Sequence, residues 1–528
     1  MCLLVSVIVF ILISFALILY WYQIKNFKYW QDRKVPFLEP HWIFGNIKDP
    51  FLKKISWAEF ATRCYTEFRE RGFGGVYLFR KPAIIICSPD LIDRVLVHDF
   101  SHFQERTSLW NSHKMLSKSL VHAKGDEWRV MRCYLSSAFT PEKLKVMCQQ
   151  IFSCSDNFLR QVRSKKLFEV ESLVFDFTTE VIASCTLGVQ VLSGSSESDK
   201  FWNAIDLIFN TSPLHMPKTI YAVIHPKVFS WIHNLIMPNS SIQFFINFTK
   251  ALIKCREQSG IERTDLLQLM LTLKNKEKNR ALITHNSERT EESVNQLKYN
   301  SYSELNCGEK VFTDDYITAH IFNILYGGTI PTATPLSFAL FEIARNESIQ
   351  KCIREEVEAI VIKYGGWNYS AFQEMVYLDQ VIQETMRIYN YSTFLLRSVT
   401  KPYKLPGTDI VLEKGVFVNI PVSAVHMDPH YYPSPEKFDP DRFAGNKYKT
   451  SATFFPFGNG PRTCIAMRFA VLVIKVCIAR TLFRYSLTVS EKTPLPLRFD
   501  INAIFPKVKE GLWLNAVERD TNIYSTLV

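Results

Sequence analysis

Apolar residues recur at three- and four-residue spacing over much of the chain, and this pattern predicts amphipathic helices. Branched and aromatic residues instead dominate from Val76 to Ile86 and again between residues 401 and 424, so we expect short strands there. The pattern therefore predicts a mainly α fold with a small β portion. The segments that most clearly predict helices are residues 126–137, 313–346, 347–363, 374–389 and 466–484.

The amino terminus contains a long uncharged apolar run, residues 3–22. As a helix, this run is long enough to cross a hydrocarbon layer of roughly 30 Å. It ends in Tyr20, Trp21 and Tyr22, and the basic residues that follow favour a cytosolic location for the rest of the chain. No basic residue precedes the run and no small-residue cleavage site follows it, which argues against a cleaved signal peptide. We predict one N-terminal transmembrane helix.

The rest of the chain predicts a linker and one large domain. Residues 23–40 are basic and contain prolines, so we expect a stiff linker before the domain at residues 41–528. Within the domain, residues 273–310 are rich in Lys, Asn, Glu and Ser, which predicts a solvated polar loop. Residues 201–252 are apolar enough to roof a cavity or to touch the membrane, but ordinary core helices explain them equally well.

Charge and cysteine content exclude several classes of function. The formal charge is +11, yet no segment clusters Lys and Arg with interleaved aromatic residues as a single-strand groove would. We therefore expect no nucleic-acid partner, and we assign the positive charge to contact with an acidic membrane or protein surface. The 12 cysteines are scattered without a paired spacing, which argues against a disulfide framework or structural zinc and fits a reducing, cytosolic setting.

One cysteine, Cys464, lies in a glycine- and proline-rich loop directly ahead of an amphipathic helix. The loop's N–H groups and the positive end of that helix would stabilise a thiolate. The glycines let the backbone approach a flat ligand, Arg462 can reach an anionic group, and Phe457 can pack on the ligand and keep water from the sulfur. The loop therefore predicts a thiolate-bound haem, and the alternative is a buried free cysteine.

The same run resembles the signature of the cytochrome P-450 family, Phe-x-x-Gly-x-Arg-x-Cys-x-Gly. Phe457, Gly460, Arg462 and Cys464 match it, and Ala466 stands where the family usually has glycine. The resemblance implies the P-450 fold, haem b with Cys464 as the axial ligand to iron, and insertion of one oxygen atom from O2 into a lipophilic small molecule. The local sequence is most similar to animal microsomal members, particularly the insect detoxification group.

Two further sets of residues carry the resemblance. Glu384 and Arg387, three positions apart on a helix, are similar to the family's Glu-x-x-Arg motif, and Arg442 would complete a structural cluster with them. The resemblance also implies which side chains contact the haem propionates. These are Trp128, Arg132 and Arg397.

The helix expected over residues 313–346 departs from the family at its centre. The family's Ala-Gly-x-Asp/Glu-Thr-Thr falls on Gly327 to Thr332, so Ile330 replaces the acid and Pro331 the first threonine. In the family, the acid and threonine organise the water and protons for oxygen activation, a general-acid role that neither Ile nor Pro can fill. Proline disrupts a helix, and a local bulge could turn Thr332 or Thr329 inward as a catalytic hydroxyl. Alternatively, the substrate or water supplies the relay.

This departure leaves three functions open. The first is a monooxygenase on the cytosolic side of the endoplasmic reticulum membrane, which receives NADPH electrons through a separate flavoprotein reductase. A haem-thiolate isomerase or dehydratase of organic peroxides would need neither a proton relay nor external electrons. A haem-binding protein without turnover would still keep Cys464. The similarity to reductase-coupled members favours the monooxygenase, and the basic residues expected to meet the reductase are Arg129, Lys143, Lys145 and Arg468.

Overall fold

Helices dominate the described part of the chain, as the sequence predicts. The computed structural model describes residues 2–106, 116–191, 199–204, 239–260, 262–286, 312–446, 451–503 and 505–519. The longer helices are α1 (Cys2–Ile24), α2 (Trp57–Phe68), α3 (Gly125–Ser136), α4 (Pro141–Lys165), α5 (Val170–Leu187), α6 (Asn239–Ser259), α7 (Leu266–Asn286), α8 (Asp314–Arg345), α9 (Glu347–Tyr364), α10 (Val376–Ile388) and α11 (Met467–Arg484).

The β portion consists of small sheets. The first sheet has the order β1-β2-β7-β4, in which β2 and β7 are parallel and the other neighbours are antiparallel. The second has the order β3-β9-β8, and β5 pairs with β6. The strands are β1 (Phe73–Leu78), β2 (Lys81–Ile86), β3 (Leu167–Glu169), β4 (Leu395–Ser398), β5 (Tyr403–Lys404), β6 (Val411–Leu412), β7 (Phe417–Ile420), β8 (Tyr485–Val489) and β9 (Trp513–Glu518).

Helix α8 runs through the larger hydrophobic core. Thr313 starts it, because the threonine side chain accepts a hydrogen bond from the Tyr316 N–H at 3.2 Å. Its carboxyl-terminal half is almost continuously buried, and it packs against α5, α6, α10 and α11. A helix buried on several sides does not need the clear two-faced pattern of a surface helix. The first β-sheet forms a second, separate hydrophobic cluster.

The predicted anchor, residues 3–22, lies in α1. Within the part of the chain that the structure describes, no helix is both long and apolar enough to cross a membrane.

The predicted linker, residues 23–40, is docked on the first sheet. Trp30 is completely buried, and its indole N–H donates to the Val76 carbonyl at 3.1 Å. Gly75 makes room for the indole ring, because a Cβ at this position would lie within 2.7 Å of ring atoms. The segment therefore holds the amino-terminal end of the domain against β1.

The polar-loop prediction for residues 273–310 is wrong over its first part. Residues 273–286 form the end of α7. Lys, Glu and Leu are good helix formers, so a polar segment that follows an apolar helical segment can continue the same helix. Residues 287–310 lie outside the described residues, as do residues 205–238 of the apolar 201–252 segment.

Candidate functional site

The loop that carries Cys464 is held by its own backbone. The Cys464 N–H donates to the Phe457 carbonyl at 2.9 Å, and the Thr463 N–H donates to the Gly460 carbonyl at 3.0 Å. Cys464 is followed by the start of α11 at Met467. The loop therefore fixes the direction of the cysteine backbone just ahead of the helix, as the sequence predicts.

The surroundings of the Cys464 thiol favour its charged form only in part. Burial raises the pKa of Cys464, whereas a hydrogen bond from the Ala466 N–H and the charges of Arg106 and Arg132 lower it. The side chain also retains some accessible surface although protein surrounds it closely enough to desolvate the thiol. The thiol is therefore closely enclosed by protein, and Arg106 and Arg132 lie near enough for their charges to act on it.

Gly460 allows this loop to approach another segment very closely. Its φ is +69°, and a Cβ at this position would lie 1.8 Å from the Leu96 carbonyl oxygen. Gly458 also has a positive φ, of +75°. At position 460 both the backbone conformation and the available space therefore require glycine.

Arg462 connects the cysteine loop to the segment before α3. The side chain is almost fully buried, and it donates to the carbonyls of Gln104, Leu120 and Ala123 at 3.1, 3.2 and 2.7 Å. Its guanidinium also lies over the Trp128 ring, 4.2 Å from the centroid. The structure thus brings together two residues for which the sequence predicts haem contacts.

Arginines gather around the same region. Arg132 donates to the Thr463 carbonyl at 2.8 Å, and Arg106 donates to the Arg462 carbonyl at 2.5 Å. Burial and the nearby charges of Arg106 and Arg462 hold the pKa of Arg397 well below its usual value. Burial and the charges of Arg106 and Arg132 lower the pKa of Arg462 to about 9. The four guanidinium groups therefore repel one another.

Sequence reasoning missed Arg106. It lies in a stretch without a recognisable motif, so a single basic residue there gives no signal. Only the folded chain brings it to Arg462, which is 356 positions away in sequence. A partly buried arginine that lies close to other arginines is expected to serve an anionic ligand.

The residues present fit haem. Buried arginines that repel one another are stabilised by negative charge, and haem propionates supply two negative charges. The one carboxylate that raises the pKa of Arg462, Glu105, already pairs with Lys124 at 3.0 Å. Cys464 lies close to Arg106 and Arg132 and offers the sulfur ligand. Individual contacts of Trp128 and Phe457 with haem remain predictions.

The comparison with known proteins decides the family. The model of the cytochrome P-450 family matches residues 35–511 of the chain. This chain belongs to the cytochrome P-450 family. Members of this family are haem-thiolate oxidoreductases that act as monooxygenases, so the predicted class of enzyme is confirmed.

The similarity to known relatives extends over nearly the whole of this P-450 chain. Probable cytochrome P-450 6a14 of Drosophila melanogaster is 31% identical over 511 residues, which cover 94% of this chain and 96% of that protein. Cytochrome P-450 6a2 of the same species is 30% identical over 527 residues, 97% and 99% of the two chains. Cytochrome P-450 6A1 of Musca domestica is 31% identical over 509 residues, which cover 93% of this chain and 94% of that protein. The predicted similarity to the insect group is therefore confirmed.

The cluster predicted around Glu384 is also confirmed. Glu384 and Arg387 of α10 are completely buried and form two hydrogen bonds, at 2.7 and 2.8 Å. Arg442 reaches the same carboxylate at 3.3 Å, and the Asp439 N–H donates to it at 2.9 Å. The carboxylate thus joins α10 to the segment that precedes the cysteine loop in this P-450.

His426 joins this cluster to the cysteine loop. Its carbonyl accepts a hydrogen bond from Arg387 at 3.0 Å, and its Nε2 accepts one from the Phe455 N–H at 3.1 Å. Burial, together with the nearby Arg387 charge, lowers the pKa of His426 to about 3, so the ring is neutral. These contacts support a structural role for His426.

The predicted catalytic threonines lie on α8. Thr329 is fully buried, and its hydroxyl donates to the Leu325 carbonyl of the same helix at 2.9 Å. Thr332 is buried as well, whereas Ile330 and Pro331 are partly exposed. A catalytic role for either threonine remains a prediction of the sequence.

A bulge at Pro331, which the sequence left possible, is absent from α8, all of whose residues the structure describes. Asp314–Arg345 is one α-helix that contains both Pro331 and Pro335. Packing on several sides holds the helix together where single hydrogen bonds are missing. Each proline therefore removes one backbone N–H donor but does not interrupt the helix.

Proposed function

We propose that this P-450 inserts one oxygen atom from O2 into a lipophilic small molecule, with electrons from NADPH that arrive through a separate flavoprotein reductase. The observation that carries the proposal is the combination of the enclosed Cys464 thiol with the arginine cluster that surrounds its loop. When bound, haem held by a thiolate supplies the electron density that favours O–O bond cleavage. Similarity to insect relatives over the whole chain supports this choice.

The chain's own residues would position the cofactor. The guanidinium groups of Arg106, Arg132, Arg397 and Arg462 would neutralise the propionates, and Trp128 would pack beside them. The Ala466 N–H already donates to the sulfur, and this bond limits the negative charge that the thiolate can give to the metal. Phe457 would cover the ligand and exclude water from the sulfur.

Electron supply through a reductase is supported by exposed basic side chains. Arg129, Lys143, Lys145 and Arg468 are all exposed, and Arg129 pairs with Asp126 at 2.9 Å. We expect that reversal of charge at Lys143 and Lys145 reduces reductase-dependent electron transfer and leaves the haem spectrum unchanged. Reversal at Lys351, an exposed lysine of α9, is the control. Normal electron transfer in the double variant would contradict this docking site.

We also propose attachment to the endoplasmic reticulum membrane, with the catalytic domain in the cytosol. The support is the apolar surface of α1, where Leu4, Phe10 and Trp21 are 67%, 70% and 62% exposed. Full-length protein should remain with membranes after alkaline carbonate extraction, and a variant that lacks residues 2–24 should be released. Release of both forms would contradict attachment through α1.

A second candidate function is the rearrangement of organic peroxides. The observation in its favour is the centre of α8, where Ile330 and Pro331 carry no acid or hydroxyl and the Thr329 hydroxyl is bonded to its own helix. Such a reaction needs no proton relay. A haem-binding protein without turnover would have the same features.

Oxygen uptake distinguishes these functions. The purified protein with a microsomal reductase and NADPH should consume oxygen above the reductase-only blank if it is a monooxygenase, and product analysis then separates hydroxylation from uncoupled peroxide release. Conversion of an organic hydroperoxide without NADPH, in the absence of oxygen uptake, would instead identify the peroxide enzyme. The absence of both activities would favour the haem-binding protein.

A further inference from the structure

A cavity of about 470 Å³ lies at the carboxyl end of α5. Its walls come from α4, from the end of α5 with the residues that follow it, and from the segment before α7. The lining residues are Gln150, Ser184, Gly188, Val189, Gln190 and Arg263. None of them belongs to the Cys464 loop or to the arginine cluster. A cavity of this volume is large enough for a small molecule.

The lining is polar, which distinguishes this cavity from a pocket for lipophilic molecules. Glutamine amides, the Ser184 hydroxyl and one guanidinium contribute to it, and Val189 is the only apolar side chain in the described lining. Arg263 supplies the only formal charge of that lining. The carboxylate of Asp265, at the same wall, is already paired with Arg256 at 2.6 Å. The lining therefore favours a polar ligand with negative charge.

A buried ion pair shapes one wall of the cavity. Arg256 and Asp265 form this pair, and the Arg256 guanidinium also donates to the Leu187 carbonyl at 2.9 Å. Gly188 fits against the pair, because its φ is +66° and a Cβ there would lie 2.4 Å from the Asp265 carboxylate. These contacts hold the wall in place without a ligand, which lowers the cost of ordering it on binding.

Arg263 and Gln150 retain hydrogen-bonding capacity for a ligand. Arg263 donates from Nη1 to the Gly188 carbonyl at 2.5 Å, which leaves most of its five N–H donors for other partners. Oε1 of Gln150 has no hydrogen-bond partner among the described residues. A half-turn of the amide exchanges its oxygen and nitrogen, so Gln150 can present an acceptor or a donor to the cavity. The guanidinium suits an anionic oxygen, and the amide suits a hydroxyl group.

We propose that this cavity binds a small hydroxylated oxyanion, whose carboxylate or phosphate group contacts Arg263 and whose hydroxyl groups contact the glutamine amides and Ser184. Hydroxyl groups both donate and accept, so they match this set of side chains. The carboxyl end of α5 carries partial negative charge, but Arg256 and Arg263 each donate to one carbonyl there and offset it. The ligand differs in kind from a lipophilic substrate of the haem centre.

Ligand-observed NMR titrations of the haem-loaded full-length protein, at constant ionic strength and without reductase, test the proposal. The probes are gluconate and glycerophosphate. Sorbitol and glycerol are their uncharged counterparts, which keep the hydroxyl groups and lack the oxyanion. At least one anion should bind about fivefold more tightly than its counterpart, or better. Whether gluconate or glycerophosphate binds more tightly identifies a carboxylate or a phosphate as the preferred oxyanion.

Variants of the lining locate the binding site. Arg263→Gln should weaken binding of the anion about threefold to tenfold, because the guanidinium contact is lost from a partly solvated site. Gln150→Leu should weaken it about threefold, because leucine offers no hydrogen bond to a hydroxyl group. Arg163→Gln is the control, because it removes the same charge from an exposed residue of α4 outside the lining. Circular dichroism checks folding, and either lining variant tests the site if the other unfolds.

Three results would overturn the proposal. The first is equal binding of each anion and its uncharged counterpart. The second is an equal loss of binding in Arg163→Gln, which would indicate unspecific attraction to a basic surface. The third is displacement of the probe by sulfate at the same concentration as by gluconate, because sulfate has no hydroxyl group. These measurements require no electrons or oxygen, so failure of the proposed monooxygenation would leave them interpretable.

Discussion

The Cys464 loop with the elements packed on it, here called the cysteine side, and helix α8, here called the α8 side, are held in different ways. On the cysteine side, Glu384, Arg387, His426 and Phe455 form an unbroken series of hydrogen bonds from α10 to the ligand loop. On the other side, α8 depends on apolar packing, and its one described threonine hydrogen bond near the centre stays within the helix. The first side contains buried charges, whereas the second contains Ile330 and Pro331 at the centre of the helix.

This difference indicates which side can change in evolution without loss of the fold. A buried ion pair becomes costly when one partner is removed, because the remaining charge has no water to solvate it. A helix packed by apolar side chains tolerates exchange of a few residues on its open face.

The largest expected effect is on the cysteine side. Glu384→Ala should destabilise the protein by about 3 to 5 kcal/mol and prevent stable haem incorporation, because Arg387 would be buried without a counter-charge. Haem content and urea unfolding measure both effects. The control is Glu374→Ala, which removes an exposed partner of Lys363 and should leave haem content unchanged. Full haem content in Glu384→Ala would contradict the contrast between the two sides.

A pair of glycine variants sharpens the comparison. Gly460→Ala should cost about 3 kcal/mol or more, because the new methyl group meets the Leu96 carbonyl and the residue has a positive φ. Gly327→Ala in α8 should instead stabilise the protein by up to about 1 kcal/mol, because alanine favours a helix and the space is open. Thermal unfolding of both variants measures whether each substitution lowers or raises the stability of the protein. Similar destabilisation by both substitutions would contradict the contrast between the cysteine side and the α8 side.

A third variant tests the arginine cluster. Arg132→Gln should weaken haem retention by about 1.5 to 3 kcal/mol, which is about tenfold to a hundredfold, because one charged contact to a propionate is lost. Transfer of haem to apomyoglobin measures the loss. Arg129→Gln, which changes an exposed residue on the same helix, should retain haem as the wild type does. Equal retention by both variants would show that Arg132 does not serve the cofactor.

A smaller effect is expected from His426. Its pKa of about 3 in the folded protein lies below the ordinary value of 6.5, so the unfolded state binds more protons as pH falls below about 6.5. The stability that the neutral ring contributes is fully present above about pH 6.5 and is lost progressively as the pH falls towards 3. Between pH 7 and pH 5 the loss should be about 1 to 2 kcal/mol.

Urea unfolding of the wild type and His426→Asn at the two pH values checks this prediction. The variant has no imidazole to protonate, so its loss of stability over the same interval should be smaller. An identical loss in both proteins would indicate that other groups dominate the pH dependence.

The sequence predicted the cysteine side well because the relevant residues lie in short motifs. Phe457 to Cys464 form one contiguous loop, and Glu384 and Arg387 are one helical turn apart. The spacing of these residues along the chain was therefore sufficient to predict which of them lie close together. Arg106 could not be found in this way, because its neighbour Arg462 becomes adjacent only after folding.

The sequence was less informative where tertiary packing decides the outcome. Proline predicted a bulge at position 331, but burial of α8 on several sides preserves a continuous helix. Polar composition predicted a loop at residue 273, yet α7 continues to Asn286 because its lysines and glutamates are compatible with a helix. The fold class itself followed from periodicity, which averages over many residues and is insensitive to such local exceptions.

The central claim is that Cys464 is the thiolate ligand, and the carbon monoxide difference spectrum of the reduced protein tests it most directly. The wild type should give the thiolate-type band, and so should Cys133→Ser, which changes an exposed cysteine of α3. Cys464→Ser should lose that band completely, because a serine hydroxyl does not replace a thiolate as the axial ligand. A thiolate-type band in Cys464→Ser would contradict the account.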